Sequence, residues 1–114
     1  MIVLHYDNVE AKIAEEGASG LKVRWLITKD IGAKNFAMRM FEMEPGGHSP
    51  YHNHSWEHEV FVLDGTGMAV GEKEERAFRP QDIIFVPPNE KHQFQNNGKK
   101  VVRFLCLIPY LKQE

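Results

Sequence analysis

The sequence predicts an all-β domain whose strands close into a sandwich or barrel, and three observations carry that prediction. Short β-branched and aromatic runs recur with period-two alternation, polar Gly/Pro/Asn turns punctuate them, and only Val9 to Glu16 has a pattern that could make a helix, a short one. A small domain with many strands must hide its sheet edges, which closure achieves.

The elements follow in order. Leu21 to Thr28 is a β-branched and aromatic strand, and Asn35 to Glu44 places Phe36, Met38 and Met40 on one face and Arg39, Phe41 and Met43 on the other. Glu59 to Leu63 is followed by the Asp64-Gly65 turn, a short strand from Thr66 to Val70, and a polar turn over Glu72 to Glu75. Ile83 to Val86 is apolar on both faces and stops at Pro87-Pro88. His92 to Gln95 alternates, and Asn97-Gly98 predicts a two-residue hairpin turn into a last strand, Val101 to Ile108. At 114 residues, without linker, low-complexity tract or repeat, a single domain over residues 1–114 is expected.

Composition excludes several functions. Fourteen Lys plus Arg against 16 Asp plus Glu give a net charge of -2, which leaves no basic surface for nucleic acid. The apolar start Met1 to Leu4 is too short for a secretory signal and no later run reaches membrane-spanning length, so a cytoplasmic protein with no membrane partner is expected. The single cysteine, Cys106, cannot form an internal disulfide and fits a reducing compartment.

The chemistry is concentrated in the histidines. His52, His54 and His58 fall within seven residues, and neutral imidazole is the commonest protein ligand for first-row divalent ions. A solvated polar run would more often mix lysine and glutamate. His5 and His48 lie outside this spacing and read as ordinary surface or loop residues, and the five methionines as core filler. Tyr51 and Trp56 flank the cluster, with a role left open.

Gly46, five residues, His52-x-His54, three residues, His58, six residues, Gly65 resembles the first signature of the cupin superfamily. Pro87-x-Asn89, two residues, His92, three residues, Asn96 resembles the second, so that the motifs occupy 46–65 and 81–96. Two positions depart from the usual glycines. Asn89 tolerates the left-handed backbone well, whereas Gln81 is less suited to it. The position usually held by glutamate is His58; the adjacent Glu59 is expected to point to the opposite face of its strand.

The resemblance implies a double-stranded β-helix with one divalent ion per chain, held inside the barrel by His52, His54, His58 and His92. Small single-domain manganese-binding cupins from thermophiles look most similar, so manganese is the expected metal, with iron, zinc, nickel or copper as alternatives. Four imidazoles would leave two cis positions open on an octahedral ion, whereas zinc would more readily close at four. With no carboxylate to offset the ion's charge, an anionic substrate or oxygen species would be favoured. Cupins commonly pair as homodimers through an N-terminal segment that adds to the partner's sheet, and Met1 to Tyr6 has edge-strand character.

Strand parity adds pocket candidates. Phe94 shares the face of His92; Phe104 and Cys106 share a face of the last strand; Arg39 and Phe41 share a face of the strand leading into the first motif. Arg39 is either an outward salt-bridge residue or an anion clamp, and Cys106 either a small core hydrophobe or a neighbour of the ion. An aromatic-lined cavity of this kind suits a small organic substrate. The expected activity is that of a metal-dependent oxygenase of dioxygenase type. The alternatives are a small-molecule sensor with a structural metal, or a cupin isomerase or decarboxylase, a reading weakened by the lack of a placed acid or base.

Overall fold

The computed structural model describes residues 1–14 and 16–110. Nine strands form one curled antiparallel sheet: β1 (Lys12–Ile13), β2 (Ser19–Ile27), β3 (Phe36–His48), β4 (His58–Asp64), β5 (Gly67–Gly71), β6 (Glu75–Phe78), β7 (Ile83–Val86), β8 (His92–Gln95) and β9 (Val102–Pro109). The order across the sheet is β6-β5-β8-β3-β9-β4-β7, and β2 also pairs with β3 and carries β1. The fold is all-β, as the alternation requires. No helix among the described residues is long and apolar enough to cross a membrane.

β3 shapes the barrel because it serves two neighbourhoods. Phe36 to Met43 pairs with β9, while His48 pairs with Gln95 of β8. Between them, Gly46 adopts φ 82°, and a side chain on Gly47 would lie 2.8 Å from the Ser19 carbonyl oxygen, so the bend needs backbone without Cβ. The alternation on β3 then sends Arg39, Phe41 and Met43 inward opposite Cys106, Phe104 and Val102. Met43, Val62 and Val102 are wholly buried, and the Phe41 and Phe104 rings stack at 5.3 Å. Burying side chains of this size stabilises by about 1.5–3 kcal/mol each.

Two expectations are corrected. Asn97-Gly98 does turn the chain, but β8 and β9 do not pair; both flank β3 instead. The turn closes on a side chain rather than a ladder, with Asn96 accepting from the Gly98 N–H through Oδ1 and donating through Nδ2 to the carbonyls of Met43 and Lys100. The helix expected over residues 9–16 is absent among the described residues of that stretch, where Lys12–Ile13 pairs as a strand with Lys22 and Val23. Met1 to His5 forms no strand within this chain, and Tyr6–Asn8 is a 3-10 turn.

Gln81 and Asn89 both take positive φ, 74° and 69°. Asparagine accepts this readily; glutamine does so because neighbouring bonds hold it. The Gln81 N–H donates to the Val62 carbonyl, the Val62 N–H to the Asp82 carbonyl, and the Arg79 N–H to the Asp82 carboxylate.

On the outer face, Glu42 joins three strands. Its carboxylate accepts from Arg24 Nε at 2.7 Å and Arg103 Nε at 3.0 Å, and its side chain is only 15% exposed. Burial alone would raise its pKa, but the hydrogen bonds and charges of Arg24 and Arg103 outweigh it and hold the carboxyl below its ordinary value. A carboxyl with a depressed folded-state pKa contributes stability above the unfolded-state value and loses it as pH falls through the folded-state value. Glu42→Gln should therefore cost about 1–3 kcal/mol at pH 7, with the difference from wild type shrinking as acid protonates Glu42. Urea titrations at pH 7 and in acid check this; an equal penalty at both would contradict it.

Candidate metal centre

His52 lies outside the regular strands, yet its backbone is paired with His92: each N–H donates to the other's carbonyl, at 3.1 and 2.8 Å. This isolated bridge brings the second motif against the first. The loop between β7 and β8 is fixed in the same way, because the Asn89 N–H donates to the His54 carbonyl at 2.6 Å and Asn53 Nδ2 to the Asn89 carbonyl. Asn89 at positive φ thus supports the backbone of a histidine 35 positions before it in sequence. His58 opens β4 opposite Val86 and is buried, while Glu59 is exposed opposite Phe85, as strand parity requires.

The four rings meet. His52 and His54 have centroids 4.2 Å apart, His54 and His58 4.7 Å, His58 and His92 5.0 Å, and His52 and His92 5.2 Å. His52, His54 and His92 each offer a ring nitrogen within 4.8 Å of the other two. His58 Nε2 stands 3.3 Å from His54 Nδ1. Two nitrogens bound at right angles about 2.1 Å from one ion lie about 3 Å apart, so this spacing fits a shared divalent cation.

Protonation and orientation fit as well. Burial, followed by the nearby charges of His52, His92 and Arg39, lowers the His54 pKa to about 4. Burial, then Arg39 and the other histidines, lowers that of His58 to about 3. Both are neutral at pH 7, the state a ligand needs. The His92 Nδ1–H donates to the Glu90 carbonyl at 2.9 Å, which leaves Nε2 with its lone pair facing the cluster. His58 Nδ1 lies 3.2 Å from Cys106 Sγ, and the Trp56 ring lies parallel to that of His54 at 4.4 Å.

A cavity of about 520 Å³ opens over these rings. Arg39, Phe94, Phe104 and Cys106 all line it. Arg39 turns inward: its Nη2 donates to Cys106 Sγ at 3.1 Å and lies 3.4 Å from His58 Nδ1, and its guanidinium rests over the rings of Phe41 and Trp25 at 4.8 and 5.3 Å. Cys106 is 2% exposed, and burial pushes its thiol pKa up against the opposing pull of Arg39. Trp25, Lys12 and Ile108 also line the cavity and were not singled out by sequence. Trp25 is found only through register, since it faces Arg39 across the β2–β3 ladder. His5 lies apart, exposed and bonded to Asp7, and the Nδ1 of His48 bonds the Ser49 carbonyl.

A curled antiparallel sheet that encloses a cluster of imidazoles able to hold a metal ion points to a class of β-barrel, and the comparisons with known proteins assign its family. Residues 39–108 match the Cupin domain model, and the chain belongs to the cupin family. It is similar to the polyketide cyclase RemF from Streptomyces resistomycificus, with 32% identity, TM-score 0.90, and coverage of 99% of this chain and 88% of that one. A cupin-2 domain structure from Rhodospirillum rubrum shares 25% identity at TM-score 0.84, covering 99% and 77%. A 1-methylthio-D-xylulose 5-phosphate methylsulfurylase from Rhodospirillum rubrum is 35% identical over 71 residues, 62% of this chain; the chain spans only 46% of that relative's length.

The buried neutral histidines make the metal-free chain sensitive to acid. A histidine with a depressed folded-state pKa binds its proton more readily when unfolded, so stability rises with pH between the folded and unfolded values. Below the ordinary histidine value of 6.5, His58 alone should remove about 1.4 kcal/mol per pH unit. Thermal melts of metal-free protein should drop from pH 7 to pH 5, and His58→Gln should flatten the decline. A melting temperature unchanged over that range would contradict neutral burial.

Proposed function

We propose that this cupin is a divalent-metal-dependent enzyme, an oxygenase of dioxygenase type, acting on a small organic substrate in the aromatic-walled cavity. The observation that carries the reading is the convergence of four imidazoles at the base of a cavity that no Asp or Glu lines among the described residues. His52, His54, His58 and His92 would hold the ion. Manganese or iron suits the neutral nitrogen set, because either takes more than four ligands and keeps positions for substrate. When bound, the ion supplies Lewis acidity and one-electron redox chemistry.

The chain's own groups supply the rest. Cys106 Sγ accepts from His58 Nδ1–H and from Arg39, which fixes the His58 ring and turns its Nε2 toward the cluster. Phe94, Phe104 and Phe41 exclude water and press a flat substrate into place. Arg39 orients any oxygen that reaches its guanidinium. No side-chain carboxylate among the described residues stands in the cavity to move a proton, which disfavours isomerase chemistry.

A second reading, metal-assisted ring closure of an enolisable substrate, is favoured by one observation: 32% identity with a polyketide cyclase over nearly the whole chain. Dioxygen separates the two. Purified protein should carry about one manganese or iron per chain, unchanged in Glu59→Gln, and should consume oxygen with phenolic or alkenyl substrates. Product formed equally well without oxygen would move the assignment to the cyclase reading. Metal binding with no turnover would leave a small-molecule sensor, and loss of the ion in Glu59→Gln would overturn the ligand set.

A further inference from the structure

The charge balance of the cavity identifies a substrate class. Its lining contains Arg39 inside and Lys12 at the exposed mouth, with no Asp or Glu among the described residues. Elsewhere the chain pairs its half-buried arginines with care, since Arg24 and Arg103 share Glu42. Arg39 has no such partner among the described residues. Its Nη2 donates to Cys106, and its Nε is sealed from solvent without any hydrogen bond.

A guanidinium left without a counter-ion in a low-dielectric wall is costly, and the rings of Phe41 and Trp25 offset only part of that. An arriving anion would recover the remainder, because an arginine–carboxylate pair forms charge-assisted and often bidentate bonds. A divalent ion bound by imidazoles, with no carboxylate to offset it, would add positive charge and strengthen the same preference.

Shape narrows the anion further. Beside Arg39, the four histidines and Trp56, whose buried Nε1–H has no hydrogen-bond partner among the described residues, the walls include Phe41, Phe94, Phe104, Leu21 and Ile108, an apolar surface that gains nothing from an inorganic ion. One interior guanidinium matches one carboxylate, and the Trp56 Nε1–H is a further donor in the same lining. We propose that the pocket selects apolar monocarboxylates, with the carboxylate on Arg39 and the hydrocarbon or aromatic body against the phenylalanine wall. This deepens the reading of the cavity as a substrate pocket and rests on it.

The test uses metal-free full-length protein, so that it succeeds or fails independently of metal loading and turnover. Calorimetry should show phenylacetate binding at least tenfold more tightly than 2-phenylethanol, its uncharged counterpart, and at least tenfold more tightly than acetate. Arg39→Met should remove the preference for phenylacetate over the alcohol, and Arg39→Lys should keep part of it. Equal binding of acid and alcohol, or a preference that survives Arg39→Met, overturns the role of Arg39. Acetate as tight as phenylacetate overturns the apolar body. If Arg39→Met does not fold, the three ligands on wild-type protein still decide. Selectivity for the acid without metal binding would sink the enzyme reading alone; metal and turnover on neutral substrates without that selectivity would sink this inference alone.

Discussion

Four imidazole rings gathered with neighbouring centroids 4.2–5.2 Å apart leave little room for positive charge, and the site is arranged around that constraint. Two protonated rings at such distances in a partly buried setting would repel strongly, and burial first, with the nearby charges second, lowers the pKa values of His54 and His58. Neutral imidazoles present lone pairs, and lone pairs converging on one point make a cation site. The backbone bridge between His52 and His92, the Asn89 turn under His54 and the burial of His58 at the head of β4 all serve that convergence.

The same sheet geometry that buries the histidines also charges the cavity. Inward parity on β3 carries Arg39 as well as Phe41 and Met43, and the β9 partners opposite them are Cys106, Phe104 and Val102. A core position that would ordinarily be apolar is thus held by a cation, stabilised by ring faces and a sulfur rather than a carboxylate. Glu42, one step from Phe41, lies on the outer face, where it neutralises Arg24 and Arg103. One strand therefore separates a balanced surface from an unbalanced interior, and the imbalance favours an anionic guest.

Much of this was legible in the sequence because strands have a period of two. Alternation put Phe94 on the face of His92, Phe104 with Cys106 and Arg39 with Phe41, and it turned Glu59 outward, but it left open which face of the strands carrying Cys106 and Arg39 is the interior. Pairing partners were not legible. Asn97-Gly98 has hairpin chemistry, yet the Gly98 N–H and the Lys100 carbonyl are taken by the Asn96 side chain, and β8 and β9 diverge to opposite sides of a corner that β3 turns. Trp25 was missed for the same reason: its approach to Arg39 depends on the register of β2, which contains an irregularity between Trp25 and Ile27. Lys12–Ile13 is too short a strand to be seen by periodicity at all.

The central claim is that imidazole nitrogens from two distant stretches of chain bind one ion with no carboxylate among the protein ligands. Pulsed electron paramagnetic resonance on manganese-loaded protein tests it most directly, by counting the histidine nitrogens coupled to the metal. The account predicts about four equivalent imidazole couplings, falling by one in each single histidine-to-alanine variant at positions 52, 54, 58 and 92. A spectrum with fewer couplings that is unaltered by the change at 92, or manganese coupled to no histidine nitrogen, would contradict it.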